Sequence, residues 1–115
     1  EGDNDIAKGK KPSAVFRQAK EIVANIKSDL PNTQIILISP KPCIANWNKK
    51  TNYIKLNKKL EKYCAKTSQL EYADVWKVMV DKEGVVFQDI FVEDGDHMNK
   101  KGYDLWNKVM SEFLK

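Results

Sequence analysis

Histidine is nearly absent from this 115-residue chain: His97 is the only one. Imidazole is the side chain that exchanges protons near neutral pH, so acid–base chemistry of that kind has one place to sit. Arginine is equally scarce. Of the 20 Lys and Arg residues only Arg17 is an arginine, whereas readers of bases and phosphates lean on the bidentate guanidinium fork. The net charge of +4 therefore reads as solvation by scattered lysines, and no nucleic-acid partner is expected. Cys43 and Cys64 are too few and too far apart for a metal cage, and they neither demand nor exclude a disulfide. That leaves the compartment open. No apolar run approaches the roughly 18 residues needed to span a bilayer, and no signal-peptide pattern opens the chain. Residues 1–5 read instead as interior sequence. What is present, 42% apolar and 31% charged residues, matches a globular unit with one modest core.

Gly2-Asp3-Asn4-Asp5 is turn chemistry, and Gly9 and Pro12 extend the expected loop. From Ser13 an amphipathic helix is expected, with Val15, Ala19, Ile22, Val23, Ile26 and Leu30 on one stripe and Pro31 as its stop. Residues 34–39 form a short, β-branched apolar run, suited to a strand covered on both faces as in a parallel sheet. After Pro40 and Pro42, a loop carrying Cys43, Asn46 and Trp47 leads to a second helix with Tyr53, Leu56, Leu60, Tyr63 and Cys64 inward. Residues 70–75 are the next strand. Residues 76–80 fit either a helix or a strand end, and 85–92 have no clear period. Asn99 is a good N-cap for a last helix carrying Trp106, Val109, Met110 and Phe113 on one stripe. The order helix, strand, helix, strand, helix predicts α/β layering. Two strands make a thin sheet, and a buried strand needs neighbours on both sides, so further strands are expected upstream of Glu1.

The chemistry centres on residues 94–103, Asp-Gly-Asp-His-Met-Asn-Lys-Lys-Gly-Tyr. An acid three residues before a histidine can fold back to accept the Nδ1 proton, which fixes the tautomer and leaves Nε2 as a base. The bland alternative is a surface loop in which Asp94 and Asp96 only form turns. Asn4, in a Gly-flanked loop, could donate to a developing oxyanion, or it could be an ordinary turn residue. A metal site built from Asp3, Asp5, Asp94, Asp96 and His97 is disfavoured, because Met98 stands where an EF-hand-type loop needs an oxygen ligand.

Taken together, Gly2-Asp3-Asn4-Asp5 and Asp94-x-x-His97 running into Asn99-x-x-Gly102-Tyr103 resemble the third and fifth sequence blocks of the GDSL/SGNH-type hydrolases. The segment between them, with Ile38-Ser39-Pro40-Lys41-Pro42 and the helix carrying Asn57, also looks like that family, so the resemblance covers essentially the whole chain. It implies a three-layer α/β/α sandwich with a flavodoxin-like parallel sheet, incomplete in this chain. It further implies His97 as general base, Asp94 as its orienting acid, Asn4 as an oxyanion donor and Gly2 as the residue permitting the turn that presents Asn4. No metal or organic cofactor is implied, and the substrate would be a small-molecule or carbohydrate ester.

The sequence also departs from the family. The nucleophilic serine of such hydrolases lies in a Gly-Asp-Ser-type block, and a second block supplies an oxyanion glycine; neither is present. Ser13, Ser28, Ser68 and Ser111 sit beside expected helices or turns without a nucleophile elbow, and Ser39 and Cys43 are the least poor substitutes. Residues 1–115 thus read as the C-terminal part of a single hydrolase domain, inactive without its upstream nucleophile. The competing expectation is a non-enzymatic module that binds a carbohydrate or partner on the same fold.

Overall fold

The computed structural model describes residues 2–114, and the side chains of residues 5–114. It begins with a departure from expectation: the Gly-Asp-Asn-Asp stretch is not a turn but the start of a helix, α1 (Gly2–Ala7). The same residue types favour both settings, because short polar side chains and acids suit turns and helix N-termini alike. What decides between them is Ile6, which is fully buried against Val15, Tyr53, Leu56 and Leu60. Gly9, at φ +93°, then ends the helix. Its N–H reaches the Ile6 carbonyl at 3.0 Å and that of Lys10 reaches Asp5 at 3.0 Å, the paired bonds by which a left-handed glycine closes a helix.

Helix α2 (Pro12–Asp29) has proline in its first turn, where a missing N–H costs nothing. Its apolar stripe is only partly covered. Val15 and Val23 are buried, but Ile22 and Leu30 are each 55% exposed. Strand β1 (Ile35–Ile38) pairs in parallel with β2 (Leu70–Ala73), with Ile35 opposite Leu70 and Ile38 opposite Ala73. Between them runs α3 (Lys50–Lys66), preceded by a 3-10 turn at Trp47–Lys49. The α3 residues Tyr53, Leu56 and Leu60 are buried as the sequence predicts, and Phe16 meets Tyr63 edge-on at 5.7 Å. Val23, Ile35, Cys64 and Leu70 bind helices and strands into one cluster.

Cys43, Met79, Val86, Ile90 and Phe91 form a further cluster beyond the strands, and Leu105 packs on it. Residues 80–98 hold only isolated bridges, Val80 to Val86 and Phe91 to Met98, in keeping with their missing period. Helix α4 (Lys100–Ser111) closes the described chain. Trp47 and Trp76 stack at 6.0 Å, so both are packing residues at least in part. Trp106, on the apolar stripe of α4, is half-buried and lines a cavity beside β1.

Among the described residues the sheet has two strands, and β1 pairs on one side only. The chain is α/β, a small parallel sheet dressed with helices, and it forms an incomplete sandwich. Along β1 lies a cavity of about 470 Å³ bounded by Ala19 and Ile22 of α2, Leu37 and Ile38 of β1, and Tyr103 and Trp106 of α4.

Candidate active site

The loop before α4 is assembled by backbone geometry that its sequence dictates. Phe91 and Met98 bridge its two ends, the Val92 N–H reaches the His97 carbonyl at 2.9 Å, and that of Gly95 reaches Val92 at 3.0 Å. Gly95 sits at φ +68°, and a side chain there would press within 3.2 Å of Ile44. Both facts call for glycine. Asn99 is the N-cap that the sequence predicts: its Oδ1 accepts the Gly102 N–H at 3.0 Å, while its amide nitrogen donates to the carbonyls of Asp89 and Phe91. At Gly102 a Cβ would stand 2.4 Å from the Ile90 carbonyl oxygen. The spacing Asn-x-x-Gly is thus one local device, with the asparagine capping the helix and the glycine letting it lie against the preceding segment.

Within this frame Asp94 and His97 are brought together. Nδ1 of His97 lies 2.6 Å from Oδ2 of Asp94, and Oδ1 of the same carboxylate accepts the N–H groups of Asp96 at 2.9 Å and His97 at 3.0 Å. These bonds hold the Asp94 carboxyl down at about 2, the His97 ring contributing most and the two amides next. In turn Asp94, by its hydrogen bond and then its charge, with Asp96 behind it, raises the His97 imidazole above its ordinary value. The ring itself is open to solvent, its side chain 76% exposed. Such an imidazole has its tautomer fixed by a carboxylate and its Nε2 left for proton transfer.

Asp5, Ser39, Lys41 and Met98 line the same cavity beside β1, so the sequence neighbours of Asn4 and of His97 converge on one space. The side chains of Gly2, Asp3 and Asn4 lie outside the described residues, and with them the expected oxyanion role of Asn4. The turn at Gly2 is replaced by the first residue of α1. Ser39 is 3% exposed, and its Oγ accepts the N–H groups of Val75 at 3.0 Å and Trp76 at 3.3 Å. It ties the exit of β2 to that of β1 and offers no accessible nucleophile. Cys43 is also buried, and burial pushes its thiol up, the opposite of what activates a cysteine. Asp96, expected as a turn former or a disfavoured metal ligand, and Lys41, expected only as part of the family-like segment after β1, pair through their side chains at 3.5 Å across 55 positions. The available signal was the place of Lys41 at the carboxyl end of a parallel strand, where such sheets gather their sites.

The family described as GDSL-like Lipase/Acylhydrolase matches residues 1–105, and the chain belongs to it. Solved structures agree on the fold. A Streptococcus pneumonia protein provisionally described as a platelet activating factor superposes with a TM-score of 0.85 at 21% identity, over 98% of this chain and 56% of its own. The esterase domain of the ORF1 protein from the zebrafish ZfL2-1 retrotransposon gives 0.76 at 22% identity, over 91% and 60%. A Bacteroides fragilis protein provisionally described as an acylhydrolase gives 0.76 at 23%, over 96% and 56%. No curated protein matches. This chain therefore spans little more than half the length of the solved structures it resembles.

Proposed function

We propose that residues 1–115 are the C-terminal part of one acyl-ester hydrolase domain and supply the base half of its active site. The observation that carries this reading is the 2.6 Å Asp94–His97 bond on an exposed ring, in a chain of the GDSL-like family. In the complete domain a serine hydroxyl from an upstream block would attack the ester carbonyl while Nε2 of His97 takes its proton. Asp94 would stabilise the imidazolium, and the proton would pass to the departing alcohol. Water, deprotonated by the same nitrogen, would then release the acid and restore the serine. Asn4 is proposed as a donor to the oxyanion. Small-molecule or carbohydrate esters are the proposed substrates. Among the described residues no helix is long and apolar enough to cross a membrane.

Three features support incompleteness. One edge of β1 is unpaired among the described residues, Ile22 and Ile38 are 55% and 39% exposed beside a cavity along that edge, and the structural relatives are nearly twice as long. An open edge flanked by apolar side chains is a strand-pairing site. The test compares the 115-residue chain with a version extended by the coding sequence that precedes it in frame, using p-nitrophenyl acetate. The reading predicts turnover only in the extended form. Turnover by the short chain that disappears in His97→Ala would overturn the incompleteness, and an inactive extended form would favour the binding-module alternative.

A further inference from the structure

Asp96, next to the proposed base, is also the partner of Lys41, which leaves the end of β1. Three observations make this more than a surface ion pair. The Lys41 side chain is only 18% exposed, against 43% for Asp96, so its stem is packed against the protein, as lysine stems are on apolar surface. Lys41 stands between Pro40 and Pro42, both buried, and proline fixes its own φ and restricts the residue before it, so the backbone that carries Lys41 is already ordered. Lastly, Asp96 is itself held by the catalytic dyad, since its N–H donates to Oδ1 of Asp94, whose other oxygen meets the His97 ring.

On the neighbouring residue the loop is held by backbone alone: the Ala45 N–H reaches the Gly95 carbonyl at 3.0 Å. The close approach of Gly95 to Ile44 shows how tightly the two segments lie together. Lys41 adds a side-chain hold one residue nearer the base. We infer that Lys41 is a positioning residue for the proposed active site, clamping the His97 loop to the end of β1 through Asp96 and so keeping Asp94 in register with the imidazole. This rests on the proposed base role of His97. Three charged groups bear on that ring: Asp94, Asp96 and Lys41 itself.

The single histidine makes the test direct, because its ring resonances need no assignment. In the 115-residue chain, amide exchange at Asp96 and His97 is followed by NMR alongside the His97 titration. Lys41→Met should speed exchange at both amides about two- to fivefold, the factor to which a modest ion pair converts, with α3 amides unchanged. It should also lower the His97 midpoint, since a looser loop weakens the Asp94 contact. Lys41→Arg should restore both readouts. Asp96→Asn, at a side chain 43% exposed, should lower the protection of the same amides relative to their intrinsic exchange rates. If Lys41→Met leaves exchange unchanged, or raises the midpoint as loss of a bystander cation would, the clamp is refuted. Asp94→Asn separates the two ideas. A His97 midpoint indifferent to that change contradicts the dyad itself, whereas the clamp is still decided by the Asp96 amide.

Discussion

The Asp94 carboxylate serves His97 twice: Oδ2 lies 2.6 Å from the ring Nδ1, while Oδ1 accepts the His97 backbone N–H at 3.0 Å. Ring and backbone of one residue are thus fixed by one acid. The consequence is a histidine that titrates above its usual value of about 6.5, and Asp94→Asn should bring it back toward that value. A proton NMR titration of the single ring decides it, and a midpoint at or below about 6.5 in the unmodified chain would contradict the bonding described.

The same pair makes stability depend on pH in a definite sense. His97 is raised in the folded chain, so its contribution is complete below the unfolded midpoint and is lost as pH rises through the folded one. Asp94 is depressed to about 2, so its contribution is present above the unfolded carboxyl value and is lost as pH falls through about 2. Urea midpoints from pH 2 to 9 should therefore be more pH-dependent in the unmodified chain than in His97→Ala around neutrality, the difference narrowing as pH rises past the His97 midpoint. Parallel profiles near neutrality would contradict this.

Gly102→Ala should destabilise the chain, although alanine is normally the better helix former by about 1 kcal/mol. The added carbon would meet the Ile90 carbonyl oxygen at 2.4 Å, a backbone atom that cannot swing aside. Overpacking of this kind costs about 1–3 kcal/mol, enough to reverse the sign. Chemical denaturation measures it, and a gain in stability would show that α4 can shift away from Ile90.

Ser39→Ala should cost about 1–3 kcal/mol, because it strands the buried Val75 donor and weakens that of Trp76. In an active, extended form, ester turnover per folded molecule should persist, since the buried Ser39 Oγ is engaged by the backbone N–H groups of Val75 and Trp76 and has no part in the proposed proton transfer. A collapse of turnover with stability preserved would return Ser39 to the chemistry.

Much of this was legible in the sequence because it is local or periodic. The stripes of α2, α3 and α4, the apolar run of β1 and the Asn99 cap all follow from spacing within a few residues, as does the Asp94–His97 contact. Helix α1 was not legible, since Gly-Asp-Asn-Asp serves turns and helix starts equally and only the burial of Ile6 tips the choice. Neither was the Lys41–Asp96 pair, whose partners are 55 residues apart and meet only once the strand end and the α4 loop are docked. The role of Ser39 was hidden for the same reason, its two donors lying beyond β2.

The central claim is that His97 is the base of an acyl-ester hydrolase completed from upstream. Its most direct test is the kcat/KM of the extended protein for p-nitrophenyl acetate, with and without His97→Ala. The account predicts a fall of about a thousandfold or more, with the urea midpoint little changed once the pH is above the His97 titration midpoint. An unchanged kcat/KM would contradict it.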